Sequence, residues 1–403
     1  MALVAKTFGD IITFTRSSTG TYFNSSGVLQ TAAINAARFD YNPSTLAALG
    51  LLIEESRTNS IRNNTMVGAV AGTPGTAPTN WVIQINTTTG LTTQVVGTGT
   101  ESGITYIDLR VSGTASGAGT LDVFFENASA VAALTGQTWT GSVYTKLQAG
   151  SLTGISSPTF RLYEYTSGIV YVTGQVGAIA TPTTAGLATQ RTSATLTTTG
   201  GATTASIRPL INYAIANGAA VDITLRVGLP QLEFGAFATS VIPTTTAALP
   251  RSADVASVNT LSPWFNASAG TLYAESSVNY TVPATFFPLA ASLNDNSTSN
   301  RMEVGYLTST LAGFEIVTGG ATQATLYPAT ASQIRKTAGA YTVNDFAAST
   351  NGSVPVTDTS GTIPTVTRLG IGSRTSGGSV IYLRRIAYYP LRLTNAELQA
   401  ITA

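Results

Sequence analysis

Val221-Asp222-Ile223-Thr224-Leu225-Arg226-Val227 sets four apolar residues against three polar ones in strict alternation. An extended chain sends successive side chains to opposite sides, so this run has one face for a core and one for water. The pattern recurs at Thr105, Ile107, Leu109 and Val111, at Leu121, Val123 and Phe125, at Leu272 and Ala274, and at Met302, Val304 and Tyr306. Strands with a single wet face belong to antiparallel sheets, because parallel sheets are covered on both faces and read as unbroken apolar runs. Gly, Thr, Asn and Pro interrupt the runs at short intervals, which points to β-sandwiches or jelly rolls. Strands alternating with long helical patterns are absent, which argues against an α/β enzyme fold. The chain is expected to be all-β and modular.

One helix is signposted. Thr394 and Glu397 have capping-box spacing, and Leu393 with Leu398 supplies the hydrophobic staple. This predicts a short helix closing the chain and covering the end of the last sheet, whose strand is 380–389.

At 403 residues the chain exceeds one ordinary core, so several units are expected. Pro243, Pro250 and Pro263 punctuate a Thr/Ala/Ser segment without alternation, which reads as an extended connector because proline donates nothing to a sheet ladder. The expected divisions are a turn-rich module over 1–64, a first sandwich over 65–242, the connector over 243–263 and a second sandwich over 264–403.

Composition narrows the function. The chain has no histidine and no cysteine, and only 10% of its residues are charged. That removes the Ser-His-Asp triad, the Cys-His dyad and the usual zinc sites, so no catalytic residue and no cofactor is expected. Without disulfides, stability must come from packing and oligomerisation. With 20 basic and 19 acidic residues there is no net field to attract nucleic acid or an anionic membrane. No stretch reaches the ~20 apolar residues of a membrane span. Residues 1–9 carry no apolar run of signal-peptide length, so secretion by that route is not expected.

The scarce charges gather near the N-terminus as Arg38, Asp40, Glu54, Glu55, Arg57 and Arg62. Arg38 and Arg57 are each suited to a bidentate bond with Asp40, Glu54 or Glu55, a network that would fix a turn-rich module. The competing reading docks these charges onto a partner.

The same segments carry a resemblance. Phe14-Thr15-Arg16-Ser17-Ser18-Thr19-Gly20-Thr21-Tyr22, Ala37-Arg38-Phe39-Asp40-Tyr41 and Gly50-Leu51-Leu52-Ile53-Glu54-Glu55-Ser56-Arg57-Thr58-Asn59 resemble an N-terminal module of tailed-bacteriophage virion proteins, described as tail-fibre, head-fibre or minor structural proteins. The stretch from Leu229-Pro230-Gln231-Leu232-Glu233-Phe234 to Ile242-Pro243-Thr244 looks like the end of that family's jelly roll, a domain similar to carbohydrate-binding modules. Arg251-Ser252-Ala253-Asp254-Val255-Ala256 matches the bridge to the next domain. From Gly270-Thr271-Leu272-Tyr273 to Ile381-Tyr382-Leu383-Arg384-Arg385-Ile386-Ala387-Tyr388-Tyr389 and the capped helix, the chain is similar to concanavalin A-like, laminin-G-type sandwiches. The resemblance implies a virion-surface protein assembled in the bacterial cytoplasm, anchored through residues 1–64 to capsid or tail proteins. It also implies a homo-oligomer, with a trimer favoured by analogy to phage fibres, and contact with host-surface polysaccharide.

Candidate sites follow from side-chain chemistry. A glycosidase needs paired carboxylates across a cleft, but Glu275, Asp295, Glu303, Glu315, Asp345, Asp358 and Glu397 are isolated in sequence. Sugar binding needs exposed aromatic faces and planar hydrogen-bonding groups. Trp81, Trp139, Arg161, Tyr163 and Tyr165 are the candidates, and Arg161, Tyr163 and Tyr165 share one strand face, near Tyr171. The alternative is an aromatic ladder covering a sheet or a subunit contact. Trp264 and Phe265 read as core residues. Asn294-Asp295-Asn296 is a loop of oxygen donors with one carboxylate, readable as a calcium site at Asp295 or as a turn. Gly370-Ile371-Gly372 and Gly377-Gly378 read as turn glycines.

Overall fold

The structure is a computed structural model that describes residues 7–284, 286–330, 332–375 and 378–403. Residues 1–6 and Gly377 lie outside the described residues. The alternating runs fall on strands Ile104–Thr114, Gly119–Phe124, Ala220–Phe234, Ala269–Ser277 and Arg301–Tyr306. Among the described residues all paired strands are antiparallel, as expected where each strand keeps one face in a core.

The middle of the chain is one sandwich. One sheet runs Tyr171–Ala178, Ile155–Tyr165, Ser206–Ile215, Gly119–Phe124 and Val82–Asn86; the other runs Arg191–Thr197, Thr138–Gly150, Ala220–Phe234, Ile104–Thr114 and Leu91–Glu101. Val221, Ile223, Leu225 and Val227 point between them, packed with Ile107, Leu109, Val123 and Phe160. Burying each such side chain contributes ~1.5–3 kcal/mol. The sheets approach closely at Gly141, where a Cβ would stand 2.0 Å from the Phe160 ring.

The second sandwich has two seven-stranded sheets. The N-terminal segment helps to build both. Thr13–Thr15 pairs with Val255–Val258 at the edge of one sheet. In the other, Ala48–Ile53 pairs with Ile381–Tyr389, and Arg38–Tyr41 adds outside it. Leu51 and Ile53 consequently lie in the same core as Leu272, Met302, Phe314 and Ile381. Among the described residues of 1–64, only the hairpin of Gly20–Phe23 with Leu29–Ala32 is a sheet by itself. The segment expected as a connector is structured too, since Leu249–Arg251 pairs with Arg57–Asn59 and Val255–Val258 enters the second sandwich. Strands of three or four residues are too short to show a period, which is why 243–263 reads from sequence as an extended connector.

The capping box forms: the Thr394 amide donates to Glu397 Oε2 at 2.7 Å and the Glu397 amide to Thr394 Oγ1 at 3.3 Å. The helix Asn395–Thr402 lies on the outer face of a sheet and not at its end. Leu393 and Leu398 pack there against the Tyr273 ring and against Ala338, Ala340 and Ala347, whose small side chains leave room for a helix. A one-turn helix, Phe8–Ile11, stands near the other terminus. Trp264 and Phe265 are partly buried against the second core, with Trp264 edge-on to Tyr388.

Candidate functional site

Three arginines and two carboxylates from distant parts of the chain meet in one buried cluster: Arg16, Arg38, Arg251, Glu54 and Asp254. Asp254 bridges Arg16 Nη1 at 3.0 Å and Arg38 Nη2 at 2.5 Å, and accepts the Glu54 amide at 2.9 Å. Glu54 Oε2 takes Arg38 Nη1 at 2.7 Å and Arg251 Nη1 at 3.0 Å, and its Oε1 takes the Ser240 amide at 2.7 Å. Burial pushes the Glu54 carboxyl up, but Arg251 and Arg38 outweigh it and hold the group at about 2. Burial likewise opposes the Arg38 charge, and Glu54 with Asp254 more than offsets that. The cluster is buried, and its carboxylates are spent on its own guanidiniums, although Arg38 Nε and Arg251 Nε find no partner, so it fastens chain segments that are distant in sequence.

The other charges of the N-terminal segment lie elsewhere. Arg57 pairs with Glu55, its Nε donating to Oε1 at 2.7 Å, and its Nη1 donates to the Phe234 carbonyl. Arg62 grips the buried Glu126 of the middle sandwich through Nε and Nη2. Asp40, grouped with these by sequence, forms no ion pair among the described residues; its Oδ1 accepts the Phe23 amide at 2.6 Å and the Tyr41 amide at 3.0 Å. The reason is that Arg38, two residues away, is turned to Glu54 and Asp254. Burial pushes the Asp40 carboxyl up to about 6. Sequence grouping missed Arg16, Arg251 and Asp254, although all three stand in the quoted strings. Their convergence gives those strings one physical role.

The face best suited to a ligand is the outer side of the sheet carrying Ile155–Tyr165. Phe160 and Leu162 point into the core, so Arg161, Tyr163 and Tyr165 point outward. Tyr171, more than half exposed, joins them across the adjacent strand, with centroids 5.4 Å from Tyr163 and 6.0 Å from Tyr165. Tyr163 also meets Phe124 edge-on at 5.8 Å, and the Arg208 guanidinium lies 3.7 Å from the Phe124 centroid. Beside these rings runs a polar row: Asp122 accepts from Asn86 Nδ2 at 2.6 Å and from Asn212 Nδ2, and Gln84 donates to Asn86. Arg161 Nε donates to Thr159 Oγ1 at 3.0 Å, which fixes its fork along the face. Burial, with the nearby Asp122 charge, raises the Tyr163 phenol above its usual range, so it remains a neutral donor and acceptor.

Trp81 and Trp139 do not belong to this face, contrary to the expectation from sequence. Trp81 is buried edge-on to Phe125, with Nε1 donating to the Asn63 carbonyl at 2.8 Å. Trp139 lies in the core against Phe234, in phase with Val143 on the inward side of its strand. Both sit inside because the large indole fills the space between two sheets. Asp295 serves a turn: Oδ1 accepts the Ser297 amide at 3.0 Å and hydroxyl at 2.6 Å, and Oδ2 accepts Asn300 Nδ2 at 2.9 Å. These bonds hold its carboxyl below the usual range. Among the described residues, no group of three or more acidic side chains is placed to hold a metal.

No protein-family model matches the chain, and no curated protein matches it. Among solved structures, it is similar to the N-terminal CBM22-1–CBM22-2 tandem of Paenibacillus barcinonensis Xyn10C at 9% identity, over 83% of this chain and 98% of that one, with a TM-score of 0.27. The likeness does not amount to a superimposable whole.

Proposed function

We propose that the protein is a structural component of a bacteriophage particle, a projecting fibre, spike or decoration protein that touches host-surface glycans through the outer face of its middle sandwich. The observation that carries the glycan reading is the grouping of Tyr163, Tyr165 and Tyr171 beside Arg161 and the Asp122–Asn212–Asn86 row. Sugar rings present a flat C–H face to an aromatic and hydroxyls to planar polar groups, and no titratable catalyst is required. The virion reading is supported by the resemblance of the N-terminal and bridge strings, whose charged residues form the buried cluster. Repeated weak contacts from many copies would add up to firm attachment.

Labelled full-length protein is expected to stain cells that carry the surface polysaccharide and to leave stripped cells dark. Absence of staining by the assembled oligomer would remove the adhesive role. Electron microscopy of particles assembled without the protein is expected to show external density lost at the head or tail; unchanged particles would contradict the virion role.

A further inference from the structure

The packing that joins the two sandwiches leaves a hollow beside the charge cluster. A cavity of about 460 Å³ is bounded by the strands Thr138–Gly150, Arg38–Tyr41 and Ile381–Tyr389. That volume is within the ~300–1,000 Å³ of small-molecule sites. Its polar lining includes Asp40, Tyr144, Arg191, Asn279 and Tyr382, and Phe23, Leu29 and Val380 contribute apolar wall. A second cavity of about 530 Å³ shares Arg191, Ala238 and Asn279 with the first and continues past Phe237 and Tyr280. Those two rings stack at 4.0 Å. The cavities therefore adjoin as one groove between the sandwiches.

The groove keeps unused hydrogen-bonding capacity. Asp40 is only 6% exposed, yet the nearest arginine on its strand, Arg38, is committed to Glu54 and Asp254. Tyr382 stands beside the Asp40 carboxylate and takes Asn279 Nδ2 at 3.3 Å. Tyr144 is 1% exposed and lies near both Arg191 and Asp40, with no hydrogen bond to its hydroxyl among the described residues. Arg191 donates to the Thr239 carbonyl at 2.7 Å and to Ser142 Oγ at 2.9 Å, while its Nε has no partner. Burying the Tyr144 hydroxyl and Arg191 Nε without partners is costly, and Asp40, whose Oδ1 takes two amides, has Oδ2 left for a further donor beside Tyr382, so the lining favours a guest rich in hydroxyls. An acid and a guanidinium flank the same space, so neither an anion nor a cation is favoured as a whole. Apolar and aromatic walls suit the C–H faces of a ring.

We propose that this interdomain groove binds a short neutral saccharide, with hydroxyls bonded to Asp40, Tyr144 and Asn279. The site lies on the opposite sheet of the middle sandwich from the tyrosine face and stands independently of that reading.

Calorimetric titration of the full chain with maltose, cellobiose, lactose and diacetylchitobiose tests it, with glucosamine and glucuronate as the charged arms. At least one neutral disaccharide is expected to bind. Asp40→Asn and Tyr144→Phe, which keep side-chain shape, should each weaken it about tenfold, the loss of one buried hydrogen bond. Ala238→Trp, which fills the groove where the cavities join, should abolish binding, and Tyr163→Ala should leave it unchanged. Thermal unfolding of each variant confirms that it is folded. The proposal is overturned if no disaccharide binds, if only a charged sugar binds, or if Tyr163→Ala removes binding that Asp40→Asn, Tyr144→Phe and Ala238→Trp retain; the last result would leave the outer-face reading standing alone.

Discussion

Replacing Asp254 by Asn should release the N-terminal segment from the second sandwich. Asp254 neutralises two guanidiniums at 3.0 and 2.5 Å, and the side chains of Asp254, Arg16 and Arg38 are all fully buried. Asparagine retains an acceptor for the Glu54 amide but removes the charge. Arg38 keeps Glu54, whereas Arg16 is left with the Ser18 and Ala33 carbonyls at 2.9 and 2.8 Å. An uncompensated buried charge of this kind costs ~3–5 kcal/mol. In a unit of this size that lowers the unfolding midpoint by roughly 10 °C. Calorimetry gives the midpoint, and hydrogen exchange followed by mass spectrometry locates the loosening. Peptides covering 13–23 and 38–53 should exchange faster, while the middle-sandwich strands stay protected. Asp222→Asn is the control, because Arg110–Asp222 is an exposed pair at 2.9 Å and such pairs contribute ~0–1 kcal/mol. If Asp254→Asn behaves like Asp222→Asn in both assays, the cluster does not fasten the segment and the reasoning fails.

Three further outcomes are expected. Asp40, at about 6 in the fold against an ordinary 3.8, favours the protonated state, so its contribution is complete below about pH 4 and lost as pH rises through 6. Asp40→Asn should therefore match the parent in acid and exceed it at pH 8 by at most ~3 kcal/mol, read from urea midpoints at both pH values. Glu54 runs the other way: held at about 2, it contributes above about pH 4.5 and loses that contribution as pH falls toward 2, so Glu54→Gln should weaken the fold most at neutral pH. Gly141→Ala should cost ~1–3 kcal/mol by pressing a methyl into Phe160, and adding Phe160→Leu should recover part of that in the same denaturation assay.

Period-two patterning made the strands readable, because it is set by local burial and needs no knowledge of the partner strand. The helix was readable because its cap is complete within four residues. The charge cluster was not, since Arg16 and Asp254 lie 238 residues apart and nothing local marks them as partners. Short strands such as Leu249–Arg251 are too brief to show alternation. Trp139 was misplaced although the phase of its strand held the answer: it is in register with Val143 on the inward side, as Phe160 and Leu162 are on theirs. The same phase argument placed Arg161, Tyr163 and Tyr165 together on the outside. The groove between the sandwiches could not be read from sequence, because its walls come from strands of both sandwiches and from the N-terminal segment.

The most direct measurement is the binding of the full-length protein to immobilised host-surface polysaccharide, compared with the double variant Tyr163→Ala, Tyr171→Ala. The parent should bind in a manner that strengthens with the number of copies presented, and the variant should lose binding at least tenfold while melting at about the same temperature. Equal binding by parent and variant, or none by either, would contradict a glycan-contacting role for this face.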